Sequence, residues 1–506
     1  MIRIRGQRFS IDDFRPLMER PVKLQVSSDI KRAIIRSHSK LVESLTSRDT
    51  IYGVNTGFGA LSQHPIRDED QFQLQLNLVR SHSAGTGKPF DYGVTRTILL
   101  LKLINLCMGY SGVRWEVVQQ LRDFLNRDIL PVIPSRGSVG ASGDLAPLSH
   151  MALALIGEGE VHFNDRVLPT IVVLREVGMR PLVLHPKEGL SLLNGTQVST
   201  ALAILGLIRM ESFLKMADIV GGMSVEAALC SRKVFRSRIH RLKQHAGQLR
   251  SASNVWHLLT GSEIVASHRQ CGVVQDPYSF RCIPHVHGAS RELFSAARRI
   301  IENELNSVSD NPIIFPDTGE IAASGHFHGE VVAQAVDTLS IAAAEIGAIS
   351  ERRIARLMEG IEGRIPKFLA SDPGLESGFM MAQVTAASLA SENKSQAFPA
   401  SVDSIPTESN QEDFVPMAPW AGRKLLRILD NVAQILGIEL LVVTHMLDLH
   451  RPLRTAPITG AVRSSVRRHI KFFKGDRVLS QDIAKAAGLI RSGKILSVVE
   501  SRMRLQ

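Results

Sequence analysis

The sequence predicts a mainly α-helical protein, a long central helical bundle with a smaller mixed N-terminal region. Three observations carry that expectation. From Val332 the apolar residues Val336, Leu339, Ala343, Ile346 and Ile349 recur at steps of three and four, which places them on one helix face. From about Lys424 to Leu449 a second stripe runs through Leu425, Ile428, Leu429, Val432, Ile435, Leu436 and Leu440. Strand-like alternation of apolar and polar residues is rare across this half of the chain. Helices of this length hide such stripes against one another, as in bundles. The expected division is an N-terminal region, 1–200, and a long-helix bundle, 201–506.

The chain has 506 residues, 44% hydrophobic and 22% charged, an ordinary balance for a soluble globular protein. Met1–Asp13 holds three arginines and no apolar run, so no secretory signal is expected there. The longest apolar stretch, Ile435–Val443, is short and broken by Glu439, and no membrane partner is expected. Cys107, Cys230, Cys271 and Cys282 show no CxxC spacing, which favours free thiols in a reducing cytoplasm over disulfides or a metal site. The net charge is +11. Part of that excess lies in 451–477, where eight cations face one acid, Asp476. A solvated basic face is favoured there; a catalytically silent helical scaffold that binds nucleic acid is the distant rival.

Taken in order, residues 1–50 read as a short strand-like start followed by helices. Ile51-Tyr52-Gly53-Val54-Asn55-Thr56-Gly57-Phe58-Gly59 is a loop, with three glycines and an asparagine. A phenol titrates near pH 10, so Tyr52 needs nearby positive charge or dipoles to act as a base near neutrality. Asn77–Gly85 carries a lone histidine, His82.

Gly137-Ser138-Val139-Gly140-Ala141-Ser142-Gly143-Asp144-Leu145-Ala146-Pro147-Leu148 is the most unusual stretch. It has three glycines in its first seven residues and no large side chain before Leu145, yet apolar runs flank it. If the backbone bends tightly, the Gly143 nitrogen can attack the Ala141 carbonyl carbon. Loss of water closes an imidazolone ring, and loss of the Ser142 hydroxyl leaves a methylidene carbon. Gly143 leaves its nitrogen unobstructed, Ala141 is small and Ser142 carries the leaving group. The surrounding fold must hold the strain.

Leu190–Gln197 then opens a long apolar helix running to about Phe213, with Asn194 placed to cap it. Gln275-Asp276-Pro277-Tyr278-Ser279-Phe280-Arg281-Cys282 follows; the planar fork of Arg281 suits an α-carboxylate. Ser324-Gly325-His326-Phe327-His328-Gly329 and Ser409-Asn410-Gln411-Glu412-Asp413-Phe414-Val415-Pro416 flank the two long helices.

The run GSVGASGDLAPLSH resembles the signature of the histidine and aromatic amino-acid ammonia-lyases, and the resemblance covers nearly the whole chain. It implies that family's fold and a 4-methylidene-imidazol-5-one group formed autocatalytically from Ala141-Ser142-Gly143, with no metal and no diffusible cofactor. It gives 1–200 a lid loop and the Ala-Ser-Gly loop, and lets 201–506 complete the active site and an oligomer interface. By residue, it makes Tyr52 and Tyr278 catalytic beside Ala141, Ser142 and Gly143. It assigns substrate binding to His82, Asn194, Gln275, Arg281, Phe327 and Glu412, with His82 facing the substrate ring. Glu412 occupies a slot where the histidine enzymes have Glu and the plant and yeast phenylalanine enzymes usually have Gln. The implied function is elimination of ammonia from an aromatic L-amino acid, L-histidine to urocanate being favoured. A tyrosine or phenylalanine ammonia-lyase, or a 2,3-aminomutase, is the alternative. A cytoplasmic homotetramer with shared active sites is expected. The chain departs from the histidine enzymes at Ile283-Pro284-His285-Val286-His287-Gly288, where a changed pocket wall is expected, and at His326, Phe414 and Pro416.

Overall fold

The computed structural model describes residues 1–47, 49–268 and 272–506, so the expectation for Cys271 lies outside the described residues. The fold is mainly helical, with strands confined to short two- and three-stranded sheets. The chain forms two compact units. The first comprises Met1–Leu205, Arg298–Asp337 and Pro399–Arg423; the second comprises Gly206–Ala297, Thr338–Phe398 and Lys424–Gln506.

In the first unit, Ile2–Ile4 pairs in parallel with Leu24–Val26. The helix Ser28–Thr46 follows, and it buries Ile30, Ile34, Ser37 and Leu41, one stripe at helical spacing. The helix Tyr92–Cys107 is buried from Gly93 onward. Two cations lie inside it, and both are satisfied, as buried charge requires. Arg96 forks onto Asp128 at 2.7 and 2.8 Å. Lys102 donates to the carbonyls of Ser191 and Asn194 at 3.1 and 2.6 Å.

A three-stranded sheet, Leu130–Pro131, Glu160–Phe163 and Arg166–Pro169, closes its hairpin through Asn164 and Asp165. Both sit in the left-handed region, at φ 50° and 59°, as a tight two-residue hairpin demands. Pro134–Arg136 pairs with Thr86–Pro89. The Gly137–Asp144 loop therefore hangs between a paired strand and the helix Leu145–Leu155.

The helix Gln197–Ala227 has 31 residues and extends well past Phe213. It begins in the first unit and continues into the second, where it carries Asp218, Ser224 and Glu226, all fully buried. Each of these polar groups has partners in the second unit. Arg353 forks onto Glu439, whose carboxylate also accepts from the hydroxyls of Ser224 and Ser350. Asp218 accepts from Arg291 at 2.6 Å, His287 at 2.8 Å and Ser251 at 2.6 Å. Burial pushes the Asp218 carboxyl up, but Arg291 and His287 outweigh it and hold the group well below its usual range. His287 is thus a buried structural partner of Asp218.

The two amphipathic helices expected from periodicity run Glu330–Leu357 and Ala418–Leu449. Both are long and apolar enough to cross a membrane, but 72% and 83% of their most apolar windows are buried inside the protein, which marks core helices. In the second unit the latter passes very close to the helix Leu479–Arg491. A Cβ on Gly437 would fall 2.7 Å from the Ala487 amide nitrogen, so only glycine fits.

Candidate active site

The first unit brings Tyr52, His82, Ala141, Ser142, Gly143, Asn194 and Glu412 together. Gly143 has φ +76° and pairs with Gly195 as an isolated bridge. A Cβ there would fall 2.4 Å from both the nitrogen and the oxygen of Gly195. Only glycine can enter this turn. The Asp144 amide donates to the Gly195 carbonyl at 2.8 Å, which fastens the end of the loop. The Asp144 carboxylate, fully buried, accepts from the Ser199 amide at 2.7 Å and its hydroxyl at 2.8 Å, at the start of the long helix. Burial nevertheless pushes that carboxyl up to about 6.

Asn194 does not spend its side chain on a helix cap. Its Nδ2 donates to the Ser142 carbonyl at 2.9 Å, and its Oδ1 is buried with no partner among the described residues. The Ser142 hydroxyl donates to Glu412 Oε1 at 2.5 Å, and Thr407 Oγ1 donates to Oε2 of the same carboxylate. A backbone pairing of Thr407 with Glu412 holds that carboxylate in place.

The Tyr52 loop is anchored beside them. Gln75, fully buried, donates to the Gly53 carbonyl at 3.0 Å and accepts from the Leu190 amide at 3.1 Å. The Tyr52 hydroxyl accepts from the Gly59 amide at 2.9 Å. Burial, then the charges of Glu408 and Glu412, hold the phenol above its usual value despite that amide. The Gly59 amide supplies a dipole of the kind expected for Tyr52, while the two carboxylates work against it. His82 Nδ1 lies 3.0 Å from the Leu78 carbonyl. A carbonyl only accepts, so Nδ1 carries the proton and Nε2 keeps its lone pair. Burial holds this imidazole below its usual value.

Phe327 is half-buried in the Ser324–Gly329 loop, which the Gly329 amide ties to the Gly140 carbonyl at 3.0 Å. His326 takes a contact of 2.7 Å with the Ser324 hydroxyl. Phe414 stacks on His328, and Pro416 packs against Gly140. The three departures from the histidine enzymes are thus accommodated around the Gly-rich loop.

Gln275, Tyr278 and Arg281 belong to the second unit. Gln275 and Arg281 line a cavity of about 660 Å³ with Arg232, Trp256 and His268. The Arg281 guanidinium lies 4.5 Å over the Tyr278 ring, and its Nε is buried without a partner among the described residues. Tyr278 itself is 70% exposed.

Four residues at the site escaped the sequence reading: Gln75, Lys102, Asp144 and Glu408. Lys102 had a signal, a single cation in the apolar run Ile98–Leu106. Glu408 had none. It lies in a run with Ser409 and Asn410 at φ 48°, 55° and 70°, three successive left-handed residues without a glycine. Such backbone costs about 1–2 kcal/mol per residue, and strain of this kind gathers at functional sites. The run lays the Glu408 carboxylate over Gly59, where a Cβ would meet Oε2 at 2.0 Å.

A helical fold built around a constrained Ala-Ser-Gly turn, with a buried asparagine and a glutamate on its central serine, defines a class, and the chain belongs to the aromatic amino acid lyase family, whose model matches residues 9–468. Among its relatives is a histidine ammonia-lyase from Yersinia enterocolitica, 45% identical over 488 residues that cover 96% of each chain. Among solved structures, histidine ammonia-lyase from Trypanosoma cruzi superposes with a TM-score of 0.91 at 38% identity, covering 99% of this chain and 95% of that one. Tyrosine aminomutase from Streptomyces globisporus superposes with a TM-score of 0.93 at 33% identity over the whole of both chains.

Proposed function

We propose that the protein is a carbon–nitrogen lyase that eliminates ammonia from L-histidine to give urocanate. The observation that carries this reading is the Ala141-Ser142-Gly143 turn, closed against Gly195 and gripped at both exits of Ser142, by Asn194 on the carbonyl and Glu412 on the hydroxyl. Such a turn fits a methylidene-imidazolone made from the chain. The crowding at Gly143 excludes any side chain beside the reacting nitrogen, and Asn194 offers a buried, unpartnered oxygen at the same place. The group would supply an electron-poor methylidene carbon at the position of the Ser142 β-carbon.

The chain's own residues do the rest. The β-proton of an amino acid is barely acidic, so base and substrate must be held in line. Tyr52 is the base for that proton. His82 Nε2 accepts the substrate ring N–H, and the Glu412 carboxylate takes the imidazole or the ammonium. These two groups favour histidine over phenylalanine, whose ring has no polar atom for them to bind. Arg281 holds the α-carboxylate, Tyr278 assists the proton transfer and Gln275 binds beside them. In this reading they reach the site from another subunit of a homotetramer, which accords with the exposed Tyr278 and the unpartnered Arg281 Nε.

The aminomutase relative keeps one alternative in view, a tyrosine lyase or 2,3-aminomutase. Incubation with L-histidine, L-tyrosine and L-phenylalanine under ultraviolet monitoring separates them. Urocanate from histidine alone is expected. Coumarate from tyrosine without urocanate, or a β-amino acid product, refutes the histidine assignment. Ser142→Ala should abolish turnover without unfolding the protein.

A further inference from the structure

Lys102 spends a buried charge on backbone. It is fully buried in the helix Tyr92–Cys107, and its ammonium donates to the carbonyls of Ser191 and Asn194 at 3.1 and 2.6 Å. Among the described residues no carboxylate bonds it, whereas the other buried cation of that helix, Arg96, forks onto Asp128. Burying an ammonium without a counter-charge in contact is destabilising, and an aliphatic side chain would fill the same space without that cost. What the ammonium adds is direction. Ser191 and Asn194 lie at the end of the short helix Glu188–Leu193. The start of that helix is pinned separately. Lys187 bonds Asp310 at 3.1 Å and the Ser191 hydroxyl at 2.9 Å, and Arg114 forks onto Glu188 at 2.8 and 2.7 Å. At its end the chain turns extended at Asn194, with ψ 136°. The Asn194 amide donates to the Leu190 carbonyl at 2.9 Å while the Asn194 carbonyl accepts from Lys102. With both peptide groups fixed, the side chain is aimed at the Ser142 carbonyl. The next residue, Gly195, pairs with Gly143.

We propose that Lys102 is a positioning residue for the elimination, its ammonium holding the Asn194 backbone so that the Asn194 amide stays on the Ser142 carbonyl. The inference rests on the reading that Asn194 meets the reacting group. Lys102 acts one residue removed from it. Its loss leaves two buried carbonyls without their donor, frees the end of the helix and lets the Asn194 side chain swing away. Displacing a group by about 1 Å can cost about 10²-fold in rate. The hold does not depend on the proton that burial makes easier to lose. Asp310 and Asp144 favour the charged amine and Lys187 opposes it, but a neutral amine keeps two N–H donors, enough for two carbonyls.

Crystallography and steady-state kinetics on the full chain test this by separate readouts. Lys102→Met is close to lysine in length but has no donor. In it the Asn194–Ser142 contact is expected to open beyond hydrogen-bonding distance. Its kcat for L-histidine is expected to fall about 10²-fold, with KM little changed because the groups that hold the substrate ring and carboxylate are untouched. Lys102→Arg, whose fork also reaches two carbonyls, should restore most of kcat. Asn194→Ala/Lys102→Met should be no slower than Asn194→Ala alone, because the second change has nothing left to misplace. Arg96→Met removes the other buried cation of the same helix, and it should lower the melting temperature while leaving kcat and KM in place. An unchanged Asn194–Ser142 contact in Lys102→Met, a wild-type kcat in that variant, or losses that add in the double variant each overturn the proposal. Should Lys102→Met fail to fold, Lys102→Gln, with a shorter stem and an uncharged head, is judged by the same outcomes. A wild-type protein that yields no conjugated acid from any aromatic amino acid refutes the lyase reading itself, and the crystallographic contact then still decides whether Lys102 positions Asn194.

Discussion

The Asn194 side-chain amide donates to the Ser142 carbonyl at 2.9 Å, while the Asn194 carbonyl accepts from the buried Lys102 ammonium at 2.6 Å. One residue thus joins the Ala141-Ser142-Gly143 turn to a cation in the middle of an apolar helix. Burial pushes that Lys102 amine down to about 7. Removing an oriented donor from such a site costs about 10²- to 10³-fold in kcat. Asn194→Ala is expected to show that loss with a melting temperature close to wild type, read by steady-state kinetics and a thermal scan.

Tyr52 is the proposed base, and its loss removes general-base catalysis, worth about 10²- to 10⁴-fold. Tyr52→Phe should therefore lower kcat by that order and leave KM little changed. The mass of the variant should stay two waters below the translated sequence, as for a chain whose Ala141-Ser142-Gly143 turn has cyclised, because the side chains bonded to Ser142 are Asn194 and Glu412, not Tyr52.

The two carboxylates near Tyr52 raise its pKa, so removing one has a defined sign. Glu408→Gln deletes a negative charge that disfavours the phenolate. The base form then becomes available at lower pH. The ascending limb of the kcat/KM profile should move to lower pH, and a shift in the other direction would remove Glu408 from the neighbourhood of the base.

Asp144 makes stability depend on pH. Its carboxyl lies at about 6 in the fold and near the ordinary value of 3.8 when unfolded. The folded state therefore holds the proton more tightly. The contribution to stability is fully present below pH 4 and is lost as pH rises through about 6. Asp144→Asn should flatten that part of the curve, as measured by denaturant unfolding at pH 4, 5 and 6.5.

The buried pair in the second unit supports a different prediction. Glu439→Gln leaves the fully buried Arg353 facing a neutral amide in place of its counter-charge. Breaking a buried pair on one side costs about 3–5 kcal/mol. Chemical denaturation should show that loss, whereas the surface pair Arg32–Asp29, exposed at both ends, should contribute less than about 1 kcal/mol.

The helices Glu330–Leu357 and Ala418–Leu449 were legible because their apolar residues alone describe one face. The helix from Gln197 was legible only to about Phe213. Beyond it Asp218, Ser224 and Glu226 break the pattern, and only partners remote in sequence, such as Arg291, Glu439 and Thr459, make their burial tolerable. At the site, the tight turn at Ala141-Ser142-Gly143 could be read because such a bend depends on residue type within three positions. Glu408 could not, because its role follows from a left-handed backbone run that no residue type there announces. Lys102 could have been found as a lone cation among aliphatics, but only the fold shows that it bonds the carbonyls of Ser191 and Asn194.

Gln75 clasps both the root of the Tyr52 loop and the ledge that leads to Asn194. Because Tyr52 directly precedes Gly53, that clasp holds the backbone under the phenol in register with the floor beneath Ser142. Lengthening the chain between 57 and 65 should alter how fast substrate enters and product escapes, with little influence on whether the warhead forms.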